Sequence, residues 1–129
     1  MIQVENLTEE DGFIRFEVSG EYTPGKEMDE VSAVWTRVTR ESRERGIDRV
    51  LALWHVPAAL PTVVGYDIGS RPVDLFGWDP ACRLAAVHDD QREEAQELYR
   101  FIEDVAHNRG LPFRAFDNEE EALTWLLET

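Results

Sequence analysis

Two histidines stand at the ends of predicted buried strands, where acid–base or metal-binding side chains can gather. His55 closes the apolar run RVLALWHV, and His88 closes CRLAAVH, with Asp89 and Asp90 directly after it. Ligands of open α/β sheets bind beyond the carboxyl ends of the strands, so imidazoles and carboxylates there would suit a metal ion or proton transfer. Strand-end histidines are also commonly structural, and no H-x-x-x-H or CxxC spacing is present. We therefore expect a polar cluster of His55, His88 and Asp89, with a metal or hydrolytic site as the weaker hypothesis.

Other sequence signals of catalysis are missing. The chain has no G-x-S-x-G or S-x-x-K motif and no glycine-rich phosphate loop. Cys82 opens an apolar run, which is typical of a buried, unreactive thiol. The sequence therefore predicts a protein that is not an enzyme and that has no cofactor.

The segment 57–78 is unusually apolar for a connection between regular elements, because connections normally run over the surface. One interpretation is that it completes the core. The other is that its large side chains line a pocket or a partner-binding surface. These candidate binding residues are Leu60, Val64, Tyr66, Phe76 and Trp78. Three prolines and three glycines interrupt the segment, so we also expect it to be the most mobile part of the domain.

Composition limits the classes of partner. Thirteen Lys and Arg residues against 27 Asp and Glu residues give a net charge of −14, which disfavours nucleic acid and anionic membrane surfaces. The 129 residues suit a single domain, 1–129. A lone cysteine suits a reducing compartment, and the first residues lack the pattern of a signal peptide. The expectation is a cytoplasmic protein.

Hydrophobic periodicity predicts alternating strands and helices. FIRFEVSG alternates as a half-buried strand, and MIQVE is predicted to lie beside it at the sheet edge, as a strand or hairpin. Met28, Val31, Trp35 and Val38 then form the stripe of an amphipathic helix. RVLALWHV is apolar throughout, which indicates a central strand covered on both faces. With the units that follow, the pattern predicts an α/β fold of four βα units in one mostly parallel sheet.

The two later helices carry start signals. Asp90 lies three residues before Glu93, and Asn118 lies three residues before Glu121, which is the spacing of a capping box. The closing stretch PFRAFDNEEEALTWLLE therefore predicts a short strand, an acidic helix start and a helix whose Trp125 lies against the sheet.

The closing stretch also carries a family resemblance. FRAFDNEEEALTWL resembles the ending of the SpoIIAA-like branch, small stand-alone bacterial domains of the STAS-like superfamily. The resemblance extends from about residue 13 to the end of the chain. It implies that five residues lock the last helix onto the sheet: Phe116, Ala122, Leu123, Trp125 and Leu126.

The resemblance also implies a function class. Classical members carry a phosphorylatable serine after the central strand, whereas the matching stretch WHVPAALPTVV has Thr62 as its one hydroxyl residue, so we predict no phosphoswitch. What the resemblance implies is a non-enzymatic interaction module that binds a protein partner or itself. The alternative is a carrier or sensor of a small apolar ligand held under residues 57–78. An enclosed cavity would favour the carrier, and a flat apolar patch would favour the interaction module.

Overall fold

The sheet and its helices follow the predicted alternation. A computed structural model describes residues 1–57 and 60–128. The elements are β1 (Ile2–Glu9), β2 (Ile14–Gly20), α1 (Glu27–Arg45), β3 (Arg49–Trp54), α2 (Thr62–Ser70), α3 (Pro72–Phe76), β4 (Arg83–His88), α4 (Glu93–Asn108), β5 (Phe113–Phe116) and α5 (Glu119–Leu126).

The five strands lie in the order β1-β2-β3-β4-β5. β1 runs antiparallel to β2, and the other neighbours are parallel. The prediction of an α/β fold with a mostly parallel sheet and an N-terminal hairpin is therefore confirmed. β1 bulges between Glu5 and Thr8, where Asn6 has a φ of 53°. At the opposite edge, the Ala115 N–H of β5 donates to Glu103 Oε2 of α4 at 3.2 Å.

The helices form two unequal layers. Each parallel crossover steps in the same direction, so right-handed connections place α1 to α4 on one face, here called the helical face. α5 covers the opposite face over β3, β4 and β5. β3 is buried on both sides, since Val50 and Ala52 belong to the core on the helical face and Leu51 to the core under α5. Its continuous apolar run predicted this placement.

The final helix begins as predicted, and the one before it does not. Asn118 Oδ1 accepts from the Glu121 N–H at 2.9 Å, which confirms that cap. α4 begins only at Glu93, and Asp90 Oδ1 instead accepts from the backbone N–H of Arg92 at 3.1 Å. The proposed cap at Asp90 was wrong because the chain needs two more residues to turn from the strand end into the helix.

α5 is docked chiefly through its small and aliphatic residues. Ala122 and Leu126 are fully buried against Leu51 and Ala85. Leu123, Phe116 and Trp125 are half-buried and pack around that cluster. Trp125 also lies 6.0 Å from the ring of Phe116, and the guanidinium of Arg83 stands over its indole. Trp125 thus contacts the sheet at its edge strand and stays partly open to solvent.

Candidate functional site

His55, directly after β3, bridges two carboxylates, one within β2 and one just after β4. Its Nε2 lies 3.0 Å from Glu17 Oε1 of β2, and its Nδ1 lies 3.0 Å from Asp89 Oδ2, just after β4. His55 comes two residues after Leu53, so its side chain falls on the α5 face of the sheet, as does Glu17. α5 reaches β3 but leaves this end open, and the His55 side chain is 40 % exposed.

The two contacts of His55 require a proton on each ring nitrogen. A neutral imidazole has one N–H, whereas both neighbours are acceptors when ionised. The hydrogen bond to Asp89 raises the pKa of His55, burial opposes it, and Glu17 adds to the rise. The pKa of Glu17 is lowered, first by the hydrogen bond from Asn6 and then by the bond from His55. The cluster is therefore an ion-paired clamp between β2, β3 and the end of β4.

His88 lies on the other face of the sheet and does not join this cluster. It pairs with Trp54 across β3 and β4, so its side chain points into the helical layer. The residue is 6 % exposed, and its ring stacks on Tyr99 of α4 with 4.1 Å between centroids. The structure thus brings His55 and Asp89 together and separates them from His88, because neighbouring positions along a strand face opposite sides. Within residues 1–57 and 60–128, no group of three potential ligands is arranged to hold a metal ion.

Two adjoining apolar hollows lie between the sheet and the helical layer. The first hollow has a volume of about 60 Å³ and the second about 50 Å³. Both are bounded by Trp35, Ile68, Ile102 and Phe113. The first is completed by Gly69, Pro72, Phe76, Trp78, Leu84, Ala106, Leu111 and Pro112. The second is completed by Tyr22, Val31, Trp54, Leu60, Ala86, Leu98 and Tyr99.

Three of the five predicted binding residues line these hollows. Phe76 and Trp78 border the first and Leu60 borders the second. Val64 is a buried residue of α2 and borders neither hollow. Tyr66 points outward, is 42 % exposed, and its hydroxyl accepts from Arg109 at 3.2 Å, so it borders neither hollow and stays a candidate only for the partner-binding surface. Ala58 and Ala59 of the same segment lie outside the described residues.

Sequence reasoning missed the walls supplied by other elements. Trp35 belongs to α1, Ile102 to α4 and Phe113 to β5, and none of them was predicted to border a binding site. Ile68 was missed although it follows Leu60 and Val64 at intervals of four, which is the stripe of a helix that faces inward. That spacing was the available signal.

α2 lies very close to α4 because it carries two glycines at the contact. A Cβ on Gly69 would stand 2.9 Å from the carbonyl oxygen of Ile102 and 3.1 Å from the Cβ of Val105. A Cβ on Gly65 would meet the flexible end of Leu98 at 3.0 Å. This close approach holds α2 as a cover over the hollows. Neither α2 nor α3 has a side-chain N-cap hydrogen bond.

The outer surface of the same segment is also apolar. Val63 is 66 % exposed, Val73 43 % and Tyr66 42 %. Thr62 is exposed at the first position of α2. Thr62 is the one hydroxyl residue of the stretch WHVPAALPTVV, and the absence of a phosphoswitch there stays a prediction.

Comparison with family models, curated proteins and solved structures found no match to this chain. In the described part of the chain, the longest helix, α1, is strongly charged, and no helix combines the length and apolar character needed to cross a membrane.

Proposed function

We propose that this protein is a non-enzymatic binding module that holds a small, uncharged apolar molecule beneath α2 and α3. The observation that carries the proposal is the pair of adjoining apolar hollows under an exposed cover. Large aromatic and aliphatic side chains such as Trp35, Phe76 and Ile102 form their walls. Ligand sites are typically lined in this way, with a few polar groups that fix orientation.

The polar groups around the hollows are suited to holding a ligand and not to transforming it. Tyr22 accepts a hydrogen bond from Trp54 Nε1 at 3.1 Å, and burial raises its pKa to about 12. Burial also raises the pKa of Tyr99 well above its ordinary value. Both phenols stay neutral near pH 7, so neither acts as a ready nucleophile or base. Cys82 is buried in the same core with a pKa raised to about 12 by burial, outside both hollows.

The volumes limit the ligand. An apolar cavity of about 150 Å³ holds benzene in a well-studied engineered case, and each hollow here is smaller. A ring-sized ligand would therefore span both hollows, and the side chains between them, Ile68 and Ile102, would have to turn aside. The short helices α2 and α3 are the elements that could shift to allow this.

The resemblance to the SpoIIAA-like branch of the STAS-like superfamily supports the same class of function, a stand-alone module without chemistry of its own. The buried single thiol suits a reducing cytoplasm, where we place the protein. The charge of −14 argues against nucleic acid as the ligand.

Binding can be tested with toluene as the probe. Methyl NMR of Ile68 and Ile102 should shift on titration, and so should the fluorescence of the tryptophans at the hollows. Ala86→Leu fills the second hollow and Ala106→Leu the first, so each should weaken toluene binding by about tenfold or more. Val63→Ala, on the outer side of α2, is the matched control and should bind toluene normally. Toluene that fails to bind, or that binds the filled variants equally well, would overturn the proposal.

A protein-interaction module is the second candidate function, and the exposed group of Val63, Tyr66 and Val73 favours it. A second copy of the chain is the partner that can be tested with the purified protein alone. Light scattering should then report a dimer that Val63→Ser and Val73→Ser dissociate while toluene binding persists. A monomer at all accessible concentrations would remove self-association from consideration.

A further inference from the structure

A second, polar crevice lies at the carboxyl ends of β4 and β5, between α4 and the start of α5. Its volume is about 300 Å³, which lies at the lower end of the range for small-molecule sites. α4 contributes Gln96, Tyr99, Arg100 and Glu103; the strands and α5 contribute His88, Arg114, Ala115, Phe116, Asp117 and Glu121. In open α/β sheets this edge is where ligands bind.

His88 is the buried polar group of the crevice. It borders the crevice although the residue is only 6 % exposed, and its ring is held flat against Tyr99. Its Nδ1 is buried and has no hydrogen-bond partner among the described residues. Leaving a buried polar atom unpaired costs stability, so such an atom calls for a partner that is absent from the chain itself.

Charged groups of both signs border the crevice without partners of their own. Arg100 makes no hydrogen bond or ion pair with any other residue that the structure describes, and the same holds for the carboxylates of Asp117 and Glu121. Arg114, in contrast, lies 3.7 Å from Glu103 and over the ring of Phe116. One free cation and two free anions therefore face the same space.

We propose that this crevice binds a small zwitterion, a molecule with a carboxylate for Arg100 and His88 and an ammonium group for Asp117 and Glu121. A free α-amino acid is the simplest compound of this class. The carboxylate accepts from a guanidinium, which is among the strongest hydrogen bonds available in proteins. The His88 ring stacked on Tyr99 forms the rigid wall against which the ligand lies.

The charges of the crevice argue against a ligand that carries charge of only one sign. A simple anion would meet three carboxylates and the negative field of the whole chain. A simple cation would meet Arg100 and Arg114, and the described residues form no group suited to a metal ion. A ligand that carries both charges matches both sets of side chains.

This site is separate from the apolar hollows. Tyr99 borders both the second hollow and the crevice, so its ring is part of the wall between them. The proposal therefore does not depend on toluene binding, and either can fail while the other holds.

The test uses L-serine, L-glutamate and L-leucine as probes, with acetate and methylammonium as ligands of a single charge. Binding is followed by NMR, through the chemical shifts of the backbone amides of Ala115 and Asp117 and of the ring nitrogens of His88. We expect saturable shifts with at least one amino acid at concentrations up to about 10 mM, and none with acetate or methylammonium. Arg100→Gln should weaken this binding by about tenfold or more.

The matched control is Arg40→Gln, which removes the same charge from an exposed position of α1 that does not border the crevice. It should bind the amino acid as the unmodified protein does. The proposal is overturned if no probe shifts His88, if acetate binds as well as the amino acids, or if both arginine variants lose affinity equally. Because Arg100 is exposed, its variant should remain folded, and a thermal unfolding curve checks that it does.

Discussion

The indole rings of Trp35 and Trp54 stack with 5.7 Å between centroids and 8° between planes. Trp35 also meets Trp78 edge-on at 5.9 Å and Phe16 edge-on at 5.7 Å. It thereby joins α1 to β2, to β3 and to the segment after α3. The same ring forms a wall of both hollows, so one side chain supports the core and shapes the candidate binding site.

Truncation of Trp35 in α1 should lower the stability of the protein more than truncation of Trp125 in α5. Trp35→Ala removes a side chain that is 7 % exposed, and it should lower the free energy of unfolding by about 3–5 kcal/mol in urea titrations. Trp125→Ala should cost less, about 1–2 kcal/mol, because Trp125 is half-buried at the edge of the α5 core. Equal losses would contradict this ranking.

The two glycines of α2 should respond differently to a methyl group. Gly69→Ala places a Cβ against the backbone of Ile102, so α2 must move away from α4, and stability should fall by about 1–3 kcal/mol. Gly65→Ala meets only the movable end of Leu98, and its effect should be near zero or stabilising, since alanine favours helix more than glycine does. Thermal unfolding of both variants gives the comparison, and a larger loss for Gly65→Ala would show that α2 is not docked as described.

The His55 clamp should make stability depend on pH in a known direction. The pKa of His55 is raised from 6.5 in the folded protein. Its stabilising effect is therefore fully present below the unfolded pKa, near 6.5, and is lost as the pH rises through the folded value. The stability difference between the unmodified protein and His55→Gln should then be larger near pH 6 than well above the folded pKa.

Denaturant titrations across that range provide the measurement for His55. His107→Gln, at the exposed end of α4, changes the same residue type outside the clamp and is the control. A stability difference that does not change with pH would mean that His55 is not held as an imidazolium between Glu17 and Asp89.

The cover over the hollows should be the part of the helical layer that opens first. α2 spans nine residues and α3 five, whereas α4 spans 16. Amide hydrogen exchange over residues 60–78 should therefore be faster than in α4 and α5, and it should slow when toluene binds. If the amides of residues 60–78 are as protected from exchange as those of β3 in the free protein, the segment is an ordinary part of the hydrophobic core.

The order of elements was readable from the sequence because each carries its own periodicity. The apolar run of β3 predicted its burial on both faces, and Asn118 with Glu121 predicted the start of α5. The candidate sites were harder to predict from the sequence, because they depend on the direction in which side chains point beyond the end of a strand. His55 and His88 look equivalent in the sequence, yet they are offset by one position across the paired strands and face opposite sides of the sheet. Contacts such as Glu17 with His55 join distant segments that no local pattern connects.

Each border of the sheet carries a feature that hinders the addition of a further strand. The bulge at Asn6 breaks the register of β1, and the carboxylate of Glu103 occupies the Ala115 amide of β5. Peptides that are captured by extending a sheet need a straight row of free backbone donors and acceptors. This protein is therefore poorly built for recruiting an unfolded tail or for stacking into fibrils through its backbone. A ligand at the proposed sites would instead be held by side chains, through shape and charge.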